Sequence, residues 1–387
     1  MNVTVLNQLK SKFRAHFGVD PVVVAYAPGR VEVLGNHTDY NEGFVLSAAI
    51  NHGTFFVCAP APDAACRLVA GDIGEECAFS LSDVSATKKM SWANYVKGVL
   101  AGLQARATVG HGFLGMFLGD VPLGAGLSSS AALEMCTGLA LAKLYKMTVP
   151  PLDLAKIGQA AEHHYAGVKC GLMDQISSLY GRENSLVMSD FRSLEAKTVP
   201  LGPDACFLIC NTAVKHALVE SEYNERRERC EQAARYFASV LKHPVSHLRD
   251  VSWDELEQYR DRMDPVVAQR ATHVIGENTR VLQGRELLKY HDLEAFGELM
   301  YLSHESSRLQ FENSCPELDV IVDAARRLPE ALGARLSGGG FGGSVVVLVR
   351  IGDARHVAKE LADAYNDIFG HPCTTMVIKP SAGAKTL

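Results

Sequence analysis

A chain of 387 residues is too long for one ordinary hydrophobic core and about right for two domains. With 47% hydrophobic and 21% charged residues it has the balance of a folded soluble protein, and its formal charge of −6 with scattered Lys and Arg argues against nucleic acid as a partner. No stretch approaches the roughly 18 uninterrupted apolar residues of a membrane-spanning helix, and Lys10, Lys12 and Arg14 break up any secretory apolar core near the start.

The first predicted element is a β-branched strand at Val22–Tyr26, interrupted by Pro28-Gly29 and resumed at Arg30–Leu34. Phe113–Leu118 reads as a second strand and ends at Gly119-Asp120. A loop with Pro122, Leu123, Gly124 and Gly126 leads into a helix expected from about Ser129 to Lys146. Pro150 and Pro151 break that pattern, and another helix is expected from about Asp153 to Tyr165, before Gly167. The turn-rich stretch Lys197–Asp204 marks the expected boundary between an N-terminal domain, 1–200, and a C-terminal domain, 201–387. Beyond it a strand is expected at Cys206–Asn211, then amphipathic helices between about Glu222 and Arg327, and strands near Ser344–Val349 and Thr374–Ile378. Strands and helices mix without strict alternation, so the fold class expected is α+β.

The ten cysteines include no CxxC pair. They are expected to be reduced thiols in a cytoplasmic protein with no structural metal site.

Three stretches carry chemistry. In Pro122–Ser130 the glycines allow tight turns and close backbone approach, and three serines follow where the first helical amides are unpaired, which suits a polyphosphate. Gly124-x-Gly126-x-x-Ser129 also nears a dinucleotide fingerprint, but the chain is still helical where that fold needs its acidic residue. No Gly-Lys-Ser/Thr follows, so it is not a Walker A loop, and a plain serine-capped helix is the third reading. The five glycines of Ser337–Gly343 point either to a bulged hairpin or to a backbone that approaches a ligand. Ala27–Asn41 is dense in hydrogen-bonding groups, as a polyhydroxyl ligand would require, although a polar turn with an Asx cap would also account for it.

Glu162 and Asp174 flank a glycine turn that could bring both carboxylates to the phosphate loop. Phosphoryl transfer needs one carboxylate for Mg²⁺ and one to position or deprotonate the attacking hydroxyl. His163 and His164 lack a ligand partner at helical spacing and are read as structural.

Together these motifs resemble the galactokinases, within the wider family that includes homoserine, mevalonate and phosphomevalonate kinases. The resemblance runs from about Phe17 to the C-terminus and rests on Pro28–Val31 with His37–Asn41, the Gly124–Ser130 loop and the Gly338–Gly343 segment. Gly171–Gln175, Val214-Lys215-His216, Ser221–Asn224 and Cys315–Asp319 are specific to the galactokinase branch. The resemblance implies two α+β domains with the active site in the cleft between them, and ATP-dependent phosphorylation of the C1 hydroxyl of galactose. It implies that Gly124, Ala125, Gly126, Leu127, Ser128, Ser129 and Ser130 wrap the ATP phosphates, and that Ser130 and Glu162 hold Mg²⁺. Asp174 would be the base toward the sugar, and Arg30 would stabilise charge on the transferring group. Asn36, His37, Thr38, Asp39, Gly171 and Tyr223 would bind the sugar. The chain is expected to work as a monomer or weak homodimer.

Two departures stand out. Glu32 occupies a position where the family has Asn, and Asn36 one where it has a Glu that contacts the C6 end of the sugar. In an extended segment the two side chains would share a face, so the carboxylate could have moved along the strand. A sugar altered at C6 or C2, such as galacturonate or N-acetylgalactosamine, is the alternative substrate. Arg308-Leu309-Gln310-Phe311 also replaces a more acidic family motif. A non-catalytic sugar- and ATP-sensing regulator is a further alternative, although such proteins tend to carry lesions in the serine loop that this chain keeps.

Overall fold

The computed structural model describes residues 2–88, 91–122, 124–215 and 219–387. Leu123 of the phosphate loop and His216 of the Val214-Lys215-His216 motif lie outside the described residues. The N-terminal half is built on eight strands: β1 Val23–Leu34, β2 Phe44–Pro60, β3 Ala65–Ala70, β4 Glu75–Ser80, β5 Phe113–Gly119, β6 Ser185–Asp190, β7 Glu195–Pro200 and, arriving from the far end of the chain, the two-residue strand Lys385–Thr386. The C-terminal half holds β8 Ala205–Lys215, β9 Ala331–Ser337, β10 Gly342–Arg350 and β11 Thr374–Ile378, so the terminal Lys385–Thr386 strand is β12.

The first sheet runs β12-β1-β2-β5-β3-β4, with β6 pairing β2 and β7 pairing β6. All of its pairs are antiparallel apart from β3 with β5. The second sheet is fully antiparallel, in the order β11-β8-β10-β9. Segregated antiparallel sheets with packed helices are α+β, and this pairing leaves no doubly wound sheet for a dinucleotide.

β1 differs from the sequence expectation in being a single strand. Pro28 and Gly29 do not end it; the pairing with β2 only slips between Pro28 and Arg30. The slip is a bulge, and glycine is needed there because a Cβ on Gly29 would lie 2.4 Å from the Leu127 carbonyl oxygen. That close approach brings the first strand against the phosphate loop, with Arg30 N–H donating to the same carbonyl at 3.1 Å.

The loop then opens the helix Ser129–Leu144, which is buried over most of its surface because it packs across β1 and β2. The next helix, Pro151–Ala161, has proline at its first position, where no N–H is required, and runs into a π-helical turn at Glu162–Ala166 before Gly167 at φ +76°. A helix at Met173–Tyr180 follows at once.

One apolar cluster joins the two halves: Val31, Leu46 and Leu186 from the first sheet meet Phe207, Val346 and Ile378 from the second and Val281 and Phe296 from the helices between. β12 also returns the C-terminus to β1, pairing Tyr26 with Lys385. No helix among the described residues is long and apolar enough to cross a membrane.

Candidate active site

Two cavities meet between the sheets. The smaller, about 430 Å³, is lined by Glu32, Asn36, His37, Asp39, Gly171 and Tyr223 among others. The larger, about 960 Å³, is lined by Gly124, Gly126–Ser130, Glu162 and the Gly338–Gly343 segment. Arg30 and Asp174 belong to both walls.

Arg30 comes from the bulged part of β1 and Asp174 from the first turn of the helix Met173–Tyr180. The guanidinium donates from Nε to Asp174 Oδ1 at 2.6 Å and from Nη2 to Oδ2 at 2.7 Å, and its Nη1 donates to the Gly126 carbonyl at 2.6 Å. The fork therefore fixes the carboxylate and the phosphate loop at once. Ser128 Oγ also donates to Asp174 Oδ2.

Ser128 occupies the N-cap position, but its side chain does not cap the helix. Its backbone is left-handed, at φ +54°, an uncommon conformation for a residue with a side chain. The hydroxyl is turned to Asp174 instead, which disposes of the plain serine-capped helix. Gly124 and Gly126 are also left-handed, at φ +75° and +71°, with open space around an added Cβ; their glycine identity answers to backbone conformation. Ala125 faces the other way. Its side chain is buried in the shared core and its carbonyl accepts Ser344 Oγ at 2.9 Å, while Gly124 and Gly126 on either side line the larger cavity.

Glu162 begins the π-helical turn and is buried, with Oε1 accepting Ser130 Oγ at 2.8 Å. Burial, and then the neighbouring Asp174 carboxylate, push its pKa up. His163 Nε2 lies 2.8 Å from the Cys170 carbonyl and His163 serves the turn, as expected of a structural residue.

In the smaller cavity the loop after β1 is held from behind. Glu277, fully buried on the helix Pro265–Lys289, accepts the backbone N–H groups of Gly35 and Asn36 at 2.9 and 2.8 Å and pairs with Arg280 at 2.6 Å. His37 is buried, and its pKa is lowered to about 4 by that burial. The neutral ring fits its neighbours: Nε2 donates to the Gly339 carbonyl at 3.1 Å while Nδ1 accepts the Tyr40 hydroxyl at 2.8 Å. His37 thus joins the loop to the glycine segment and lines the cavity, its ring 5.1 Å from the Tyr223 ring and tilted 42° to it.

Asp39 has a pKa pushed up to about 6, by burial first and then by the Glu32 and Asp174 carboxylates. Gly171 sits against it so closely that a Cβ would lie 2.1 Å from Asp39 Oδ2. Thr38 is fully buried, its hydroxyl lying 2.8 Å from the Gly35 carbonyl and 2.6 Å from that of Phe44.

The glycine segment answers both sequence readings. Its pairing with β8 slips between Gly342 and Ser344, which is a bulge, and Gly338 and Gly339 line both cavities. Glu277, Asn313 and Arg335 are the residues that sequence reasoning missed. Each holds a partner more than 200 positions away, and only the occurrence of polar residues within otherwise apolar stretches could have hinted at them.

These features define a small-molecule kinase of the GHMP class, and the family comparisons agree. The GHMP kinase N-terminal domain matches residues 94–182 and the GHMP kinase C-terminal domain residues 285–367, while a galactokinase galactose-binding signature matches residues 11–60. A galactokinase of Roseiflexus sp. (strain RS-1) is 38% identical over 97% of this chain and 96% of its own, and one from Haemophilus influenzae is 41% identical over 95% of both. The solved galactokinase of Lactococcus lactis, complexed with galactose, superposes with a TM-score of 0.92 at 32% identity, covering 99% of this chain and 100% of its own. A mevalonate kinase at 18% identity and TM-score 0.63 shares the fold. The chain belongs to the galactokinase family.

Proposed function

We propose that this chain transfers the γ-phosphoryl group of ATP to the C1 hydroxyl of galactose, with Asp174 and Arg30 at the transfer point. The observation that carries this reading is the shared wall: the Arg30–Asp174 fork is the charged pair that faces both the sugar-sized cavity and the phosphate loop.

A carboxylate offers about four acceptor sites. Three on Asp174 are taken by Arg30 Nε, Arg30 Nη2 and Ser128 Oγ, which leaves one acceptor place for the sugar hydroxyl. Asp174 orients that hydroxyl and receives its proton as the oxygen bonds to phosphorus. Arg30 keeps two N–H groups beyond its three bonds to Asp174 and Gly126 for the charge on the phosphoryl oxygens. Transfer of this kind depends chiefly on position and charge stabilisation.

Ser130 Oγ and Glu162 suit Mg²⁺, an ion that takes one or two protein oxygens and completes its octahedron with phosphates and water. Bound there, the ion would neutralise charge on the ATP phosphates. The sugar cavity is walled by the Glu32, Asp39 and Asp174 carboxylates against two cations, Lys169 and Arg30, and Arg30 is already paired with Asp174. That balance supports a neutral polyhydroxyl substrate and disfavours a uronic acid. The ten cysteines are free thiols, nine of them buried, which supports work in a reducing, cytoplasmic setting.

The test is ADP release with Mg·ATP across galactose, glucose, N-acetylgalactosamine, galacturonate and arabinose. Turnover greatest on galactose is expected. Turnover greatest on galacturonate, or on no sugar at all, would overturn the reading.

A further inference from the structure

Asn36 and Glu32 are exchanged relative to the family pattern, and their hydrogen bonds divide their duties. The Asn36 amide has little left to offer a ligand. Its Nδ2 donates to Glu32 Oε1 at 2.9 Å and to the Gly338 carbonyl at 2.7 Å, and its Oδ1 accepts Asn313 Nδ2 at 2.9 Å. The side chain is 1% exposed.

Glu32 is different. Oε1 is occupied by Asn36 Nδ2 and by Arg335 Nη1, the latter at 2.9 Å. No described residue donates a hydrogen bond to Oε2, and Glu32 lines the smaller cavity. A carboxylate with one oxygen anchored by two donors and the other facing a cavity is a preformed acceptor for a ligand hydroxyl. Its place along the cavity is also defined. Arg30 and Asp174 border the phosphate side, whereas Glu32 and Asn36 line only the smaller cavity. With C1 of a pyranose at Asp174, the remote edge carries the C4 and C6 hydroxyls.

We propose that Glu32 reads the sugar, its Oε2 accepting a hydroxyl at the C4–C6 edge, and that Asn36 and Arg335 are positioning residues that aim this carboxylate. This rests on the galactokinase reading above. The exchange then leaves preference for a neutral hexose in place, because the negative charge has moved along the strand and still faces the same cavity.

The experiment compares the parent and Glu32→Gln on galactose, 4-deoxygalactose and 6-deoxygalactose, with kcat and KM measured separately. A charge-assisted hydrogen bond predicts a loss of roughly 10- to 100-fold in kcat/KM on galactose, mainly through KM. On the deoxy sugar that lacks the accepted hydroxyl, the variant should lose nothing further against the parent. The variant should also gain activity on galacturonate relative to galactose. Glu32→Gln strands the buried Arg335, so the same series is run on the Glu32→Gln/Arg335→Gln pair, which removes the unpaired charge. Equal losses on all three sugars in both proteins, or an undiminished rate on galactose, would overturn the proposal while leaving the kinase reading intact. A parent inactive on galactose would instead defeat the reading on which it rests.

Discussion

Arg30 holds Asp174 by two parallel hydrogen bonds, of 2.6 and 2.7 Å, and ties the same guanidinium to the phosphate loop through the Gly126 carbonyl. The group that addresses the sugar and the loop that addresses ATP are therefore one mechanical unit. Neither can shift without the other, which is what a reaction governed by alignment requires.

Asp174→Asn keeps the size of the side chain but removes its charge and one acceptor oxygen, so it loses part of the Arg30 fork together with the proton acceptor. Turnover is expected to fall roughly 100- to 10,000-fold, the range for loss of a general base. ATP affinity, measured by calorimetry, should stay close to that of the parent. Full activity in the variant would remove Asp174 from the chemistry.

Gly171→Ala tests the sugar side alone. The added Cβ would lie 2.1 Å from Asp39 Oδ2, so the carboxylate must move. The KM for galactose should rise roughly 10- to 100-fold, in keeping with the cost of misplacing a binding group by about an ångström. The KM for ATP should change little. A parallel rise in both would mean that the whole turn, and not Asp39, had been disturbed.

How much of this was legible beforehand follows physical lines. Strand β10, the helix Ser129–Leu144 and the two glycine loops stood out because apolar runs, helix formers and glycines are local signals. The carboxylates Glu162 and Asp174 were also legible, since a short glycine turn separates them. What was hidden depends on contacts between distant segments. Ser128 looked like a cap, and only the fold shows its hydroxyl turned to Asp174. Thr38 and Ala125 sit in motifs rich in ligand-facing groups, yet each points into the protein to satisfy backbone carbonyls or to fill the core. Glu277 clamps a loop some 240 positions away, and no periodicity could reveal that.

The pH dependence should carry the signature of Asp39. Its pKa is pushed up to about 6, so its carboxylate is an acceptor above that pH and gains a proton below it. The kcat/KM for galactose should therefore fall as the solution is acidified through pH 6, approaching about tenfold per unit. Glu162, also pushed up, titrates in the same direction but acts on the phosphate side. Asp39→Asn separates the two: the acid limb in galactose KM should flatten while any limb in the Mg·ATP dependence persists. An unchanged galactose profile in that variant would exclude Asp39 as its source.

Glu162→Gln keeps the hydrogen-bonding size of the residue and removes its charge. The Mg²⁺ concentration for half-maximal rate should rise on the order of tenfold or more, by analogy with the loss of groups that support a metal ligand. Galactose affinity measured without nucleotide should be unaffected. A magnesium requirement equal to the parent's would place the ion elsewhere.

The most direct test of the central claim is phosphorus and proton NMR of the product formed from galactose and Mg·ATP. The account predicts one ADP per sugar phosphorylated, with the phosphate coupled to the anomeric proton at C1. Phosphate at C6, or ADP formed without any sugar phosphate, would contradict the placement of the C1 hydroxyl between Asp174 and the phosphate loop.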